Sequence, residues 1–465
     1  MKSSKLKIKI PNICKNEQIY ILDIVLGDFL GLDFKVETHE SDFIEITRDS
    51  SLHNYCKLTL DASFFSKAKQ YWLKDKSMPN LPLDSWIPSN DGIKVNLVER
   101  SIPILFGTPG IVKNNNHIHL NMDIFGSAFF MLSRYEELIT KDRDKYDRFP
   151  SSSSISFKGN FLNRPLVDEY LEILWSCMML IWPDLKRKQY QTETHISCDV
   201  DRPFDCSVET ILKTLRASIG DLVKRKNPIE MFSRLNRYVF NKFGVYKFDR
   251  HYTFDFYMNA CEFAGLKATF YFIPSSKEPN NGCYEIKDKK IINLIKKIVY
   301  RGHEIGIHGS FQSYKDKQKI IQQKNLVEKT LNKIGIKKKI RGNRQHYLRW
   351  DSSVTPDYLD AAGFEYDSSG SYADHSGFKY GTCKKFNMWG WQEKKKLNLK
   401  QQPLIVMENS IAHYMGLGYS DQTLKIMKDL KKKCQIVNGV FTLLWHNPRL
   451  VNKKQIEIFN EILSC

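Results

Sequence analysis

His195-Ile196-Ser197-Cys198-Asp199-Val200-Asp201 reads as a β-strand that closes on carboxylates. Asp199 and Asp201 are two positions apart, so on extended backbone they share one face. Further along, Gly302-His303-Glu304-Ile305-Gly306-Ile307-His308 reads as a second strand, partly apolar and closed by an imidazole. Two carboxylates and a histidine at strand ends supply what a metal-assisted hydrolase requires: ligands for an ion and a base for water.

Outward from these stretches, strand-like and helical runs alternate from residue 191 on. Candidate strands are Thr194–Val200, Lys267–Ile273, Glu304–His308, Lys339–Arg344, Leu404–Glu408 and Phe441–Trp445. Helical patterns fall between them at Thr253–Phe263, Lys289–Tyr300, Tyr314–Ile334, Pro356–Ala362 and Thr423–Asn438. Such alternation predicts an α/β fold with a parallel sheet or barrel, its chemistry at the carboxyl ends of the strands. Residues 207–250 form an insertion after the first strand. Leu212, Leu215, Ile219 and Leu222 recur there at helical spacing among Lys213, Arg216, Lys224, Arg225, Lys226, Arg234 and Arg237. Two readings fit the insertion: a helical hairpin beside the mouth of the site, or an amphipathic segment lying on a membrane surface.

Residues 1–190 read as a separate unit with no catalytic constellation, a structural or substrate-selecting module. Met122–Leu138 has the pattern of a helix with Asp123 as N-cap, Phe149–Ser156 that of a serine-rich loop, and Val167–Ile181 that of an amphipathic helix. The longest mostly apolar run, Ile173–Trp182, is too short to span a bilayer and should end near Trp182, because Pro183 follows.

With 465 residues and a 42% apolar fraction, the chain has room for two or three domains with sizeable cores. Its 10 cysteines include no C-x-x-C pair, which excludes a zinc knuckle or a thioredoxin-type motif. Met1–Lys9 is charged without an apolar stretch behind it, so no signal peptide is expected. These features predict a reducing cytoplasm with free thiols. The net charge is +19, with lysines clustered near 337–339, 394–400 and 428–433. That charge suits a solvated surface, an anionic membrane, or an anionic or lipid-linked substrate. No nucleic-acid motif accompanies it, and no nucleic-acid partner is expected.

On these residues, 191–465 resembles the polysaccharide deacetylase family, the NodB-homology fold. Ser197-Cys198-Asp199-Val200-Asp201 looks like its first motif, although Val200 separates the aspartates. Gly265-Leu266-Lys267-Ala268-Thr269-Phe270-Tyr271-Phe272 is similar to its second strand, and Gly302–His308 to the run that delivers a histidine ligand. Arg341–Trp350 resembles the arginine motif, with Arg344 and Tyr347 in place but no prolines. Tyr366–Cys383 looks like the fourth motif extended into a loop, and Phe441–Asn447 like the last, a strand ending in histidine. Asp147-Arg148-Phe149-Pro150 and Asn163-Arg164-Pro165 are similar to a bacterial subgroup that carries an extra N-terminal domain.

The resemblance implies a distorted (β/α) barrel of NodB type, preceded by a smaller α/β domain, that removes acetyl groups from a carbohydrate. It implies Asp199 as general base, Arg344 as its orienting partner and His446 as general acid. Asp201 and His308 would hold a divalent metal, zinc by preference. The family's second histidine is missing, since Gln312 and Ser313 stand in its place and both are poor zinc ligands. His346 shares the face of Arg344 on an extended strand and is the candidate third ligand. Tyr347, Tyr372, Asp374 and Trp445 are the expected substrate contacts. A cytoplasmic enzyme of this kind would meet nucleotide- or lipid-linked glycans, at or near the inner face of an anionic membrane. The alternatives are a degenerate carbohydrate-binding protein on the same barrel, or a hydrolase of another amide bond.

Overall fold

The computed structural model describes residues 5–48, 56–275, 278 and 280–464. Part of the stretch on which the absence of a signal peptide was argued, Met1–Ser4, lies outside the described residues. The fold is mixed α/β, and the chain divides into two compact units. One contains residues 1–194, 347–406 and 429–442; the other contains 195–346, 407–428 and 443–465. No helix among the described residues is long and apolar enough to cross a membrane.

The first unit has a six-stranded sheet in the order 34–39, 6–11, 43–48, 57–61, 117–122, 107–114. Ile8, Ile10, Ile44, Ile46, Leu58 and Leu60 are buried, as alternation along half-covered strands requires. Beside this sheet is the wholly buried helix Ile124–Leu132, with the Asp123 side chain accepting the Gly126 N–H at 2.6 Å. The helix expected over Met122–Leu138 is broken at Arg134, which takes a left-handed φ of 55°, and resumes as Tyr135–Ile139. The buried Arg134 guanidinium donates to Glu136 at 2.6 Å, to Glu137 at 3.0 Å and to the Tyr372 hydroxyl at 2.9 Å. These partners offset the cost of the unusual backbone. The loop expected over Phe149–Ser156 is also corrected. A short helical turn covers Ser151–Ser153, and Ile155–Lys158 is helical, capped by Ser154 Oγ on the Phe157 N–H.

In the second unit the core is a run of parallel strands, with Ala268–Phe272 between Glu193–Val200 and Glu304–Gly309, and Gly342–Gln345 beyond. The register sets Tyr271 opposite Asp199 and Gly306, and His308 opposite Arg344. Gly306 is required here, since a Cβ would clash with the Tyr271 ring. Two strand expectations move. The Lys339–Arg344 run pairs only over Gly342–Gln345, and of Leu404–Glu408 only Val406–Met407 is extended, Glu408 beginning a helical turn. The insertion is a hairpin of helices Ile211–Val223 and Pro228–Lys242.

The expectation of free thiols is corrected in this unit. Cys206 and Cys283 form a disulfide, with Cα atoms 6.5 Å apart. Their 77-residue separation hid the pairing, because only folding brings the two within bonding reach. Cys14, Cys56, Cys177, Cys198, Cys261, Cys383 and Cys434 are free thiols, as expected.

Candidate functional site

The carboxyl ends of the parallel strands of the second unit converge on a cluster of titratable groups. Asp199 is the penultimate residue of its strand, and Asp201 follows the strand end. His308 lies one residue before the end of the Glu304–Gly309 strand, and His346 directly follows Gln345. The period of two places Asp199 and Asp201 on the same side, and parallel pairing lines the other ends up beside them.

Oδ1 of Asp201 lies 3.3 Å from Nε2 of His308 and 3.4 Å from Nε2 of His346. That oxygen is buried and has no hydrogen-bond partner among the described residues. Ligand atoms on a tetrahedral ion with bonds of ~2.1 Å are separated by ~3.4 Å. Asp201, His308 and His346 thus form a group able to hold a metal ion, with one donor atom from each within 4.8 Å of the others. Nδ1 of His308 is 2.8 Å from the carbonyl oxygen of Arg344. A proton on Nδ1, donated to that carbonyl, leaves the Nε2 lone pair toward Asp201.

Electrostatics follow the same geometry. Burial opposes the charge on Asp201, but His346 and His308 reverse this and hold its carboxyl well below the usual range. Burial likewise opposes charge on His308, and Asp199 and Asp201 together raise its pKa above the ordinary value. For His346 burial dominates and lowers the pKa below the ordinary value, against the pull of Asp201.

Asp199 is buried beside this group, its Oδ2 3.6 Å from Nε2 of His308 and its Oδ1 3.6 Å from Nη1 of Arg344. Arg344 is itself buried, donates from Nη2 to Ser197 Oγ at 3.0 Å, and lies over the Tyr271 ring at 4.8 Å. On another side of Asp201, Nε2 of His446 is 3.8 Å from Oδ2. Its Nδ1 meets Oε1 of Glu408 at 2.7 Å. Burial would lower the His446 pKa, but Glu408 and then Asp201 and Asp199 raise it to about 9.

The structure therefore brings together Asp199, Asp201, His308, Arg344, His346 and His446. Gln312 and Ser313 do not join them: Gln312 is exposed, and Ser313 donates to Ser310 O and Gln345 Oε1. His303 takes up hydrogen bonds with the Ala268 N–H and Glu262. Trp445 is buried in the same unit and donates to Arg449 O at 2.9 Å.

Tyr347, Tyr372 and Asp374 belong to the other unit. Tyr347 has a φ of 60° and its carbonyl accepts from Arg148. Tyr372 is buried on Arg134, and Asp374 accepts from the backbone and hydroxyl of Ser151. Glu408 was not singled out from the sequence. The signal available was an acidic residue closing the apolar run Leu404-Ile405-Val406-Met407.

Residues 6–183 match a family of unknown function, DUF7033. No curated protein matches the chain. Among solved structures, the chain is similar to a Mycobacterium smegmatis protein described as a polysaccharide deacetylase, at 15% identity over 61% of this chain and 85% of that one, TM-score 0.36. A Pseudomonas aeruginosa PAO1 protein of the same description is similar at 11% identity over 67% and 90%, TM-score 0.37. An allantoinase is similar at 12% identity over 61% and 85%, TM-score 0.36.

Proposed function

We propose that this chain is a metal-dependent hydrolase that removes acetyl groups from a carbohydrate. In this reading 191–465 is a NodB-type barrel and 1–190 an accessory domain. The observation that carries it is the buried Asp201 Oδ1 between two imidazole Nε2 atoms, with a carboxylate and a third histidine beside it. Asp201, His308 and His346 hold a divalent ion, zinc being the one best suited to two imidazoles and a carboxylate.

When bound, such an ion polarises an acyl carbonyl and makes water acidic enough to lose a proton near neutrality. Asp199 takes that proton, and Arg344, 3.6 Å away, orients its carboxylate. His446, kept protonated by Glu408, gives its proton to the departing amine or alcohol. Tyr372, Asp374 and Trp445, whose polar groups are engaged by the protein itself, are assigned scaffolding roles. Nucleotide- or lipid-linked glycans are the substrates that suit the +19 charge, since both carry phosphates.

The test is acetate release from N- and O-acetylated sugars by metal-replete protein, with the metal content measured alongside. Acetate release that depends on the ion supports the reading. A stoichiometric ion without acetate release moves the reaction to another amide bond. Sugar binding without an ion makes the chain a binding protein.

A further inference from the structure

The hairpin in the second unit has its polar and apolar sides exchanged. In helix Ile211–Val223 the buried residues are Thr214, Ser218 and Asp221, which lie on one helical face. In helix Pro228–Lys242 they are Arg234 and Arg237. What joins the helices is charge: Arg234 Nε meets Asp221 Oδ2 at 2.6 Å. Within the second helix, Arg237 Nη2 meets the half-buried Glu230 at 2.7 Å. The apolar side chains face outward, with Leu212 77%, Ile219 61%, Val223 66%, Ile229 80%, Phe232 62% and Phe243 80% exposed.

Water favours the opposite arrangement, with leucines and phenylalanines between the helices and ion pairs outside. A hairpin that keeps its ion pairs inside is matched to apolar surroundings. The helices have 13 and 15 residues, so each rises only about 20 Å and cannot cross a ~30 Å hydrocarbon core. Exposed Lys213, Arg216, Lys224, Lys226, Lys242 and Lys247 lie along the same segment. Cations beside an apolar face complement the phosphates of an anionic lipid surface, with the apolar residues entering the acyl boundary. We propose that the hairpin docks the protein on an anionic lipid bilayer, inserting Leu212, Ile219, Ile229, Phe232 and Phe243 into one leaflet. The hairpin holds none of the residues placed in the proposed reaction.

The test floats the full chain with vesicles of phosphatidylcholine alone and of phosphatidylcholine with roughly one-third phosphatidylglycerol. Flotation with the anionic vesicles is expected, weakening as salt rises. Leu212→Ser, Ile229→Ser, Phe232→Ser and Phe243→Ser combined should lower the bound fraction about tenfold or more without altering the circular dichroism. In a second measurement, Phe232→Trp should add blue-shifted emission, relative to wild type, only when anionic vesicles are present. Absence of wild-type flotation, undiminished flotation of the serine variant, or added emission from Phe232→Trp that is indifferent to vesicles would each overturn the proposal. A dimer in sedimentation velocity that the four serines abolish, with no vesicle binding, would assign the face to a second copy instead.

Discussion

Oε1 of Glu408 lies 2.7 Å from Nδ1 of His446 and also accepts the His446 backbone N–H at 3.1 Å. One buried carboxylate oxygen thus fixes both the position of the imidazole and its protonation, with Nδ1 as donor and Nε2 directed toward Asp201. The His446 pKa, raised to about 9, keeps the ring charged at neutral pH. As pH rises through about 9 the proton is lost, so the basic limb of acetate release should fall there. Glu408→Gln removes the buried charge that raises this pKa. The limb should then move toward lower pH, and kcat/KM at neutrality should drop roughly tenfold or more. An unmoved limb would separate Glu408 from the proton transfer.

Metal binding is expected to depend on His308 and His346 alike. Purified wild-type protein should carry one divalent ion per chain, measured by inductively coupled plasma mass spectrometry. His308→Ala and His346→Ala should each weaken it by about two orders of magnitude or more, because a three-ligand site loses a third of its protein donors. Retention by His346→Ala at wild-type affinity would remove His346 from the ligand set.

Asp199→Asn should separate catalysis from metal holding. Asp199 lies beside the ligand group and against Arg344 without belonging to the three residues assigned to the ion. The variant should keep its ion and lose roughly two to four orders of magnitude in kcat. Loss of the ion in this variant would make Asp199 a ligand rather than the base.

The first unit has its own test at Glu137. This buried carboxylate receives Arg134 at 3.0 Å, Lys379 at 3.1 Å and the Ser352 hydroxyl at 2.7 Å. Burial would raise its pKa, but Lys379 and Arg134 outweigh that and lower it to about 2. A folded pKa below the unfolded one gives stability that is complete above the unfolded value and lost as pH falls toward about 2. Glu137→Gln should therefore cost about 3 kcal/mol at neutral pH and lessen the acid sensitivity below pH ~4.5. Urea midpoints measured across that range would show it; parallel wild-type and variant curves would not be compatible with this account.

Local features were legible in the residue pattern alone. Strand-like runs located the strands that carry Asp199 and His308, with Asp201 just past the end of the first, and helical spacing located Lys289–Tyr300, which the structure reproduces residue for residue. Asp123 could be read as an N-cap because capping depends on neighbours three residues away. Tertiary structure decided what depends on distant partners. His346 meets Asp201 only because four strands pair in a fixed register, and Glu408 meets His446 across 38 residues of chain. The break at Arg134 depends on Tyr372, and the Cys206–Cys283 bond joins residues 77 apart. The hairpin shows the same division. Leu212, Leu215, Ile219 and Leu222 announced a helix, but periodicity gives a stripe and not the side on which it is covered. Only the buried Asp221–Arg234 pair shows that this stripe faces outward.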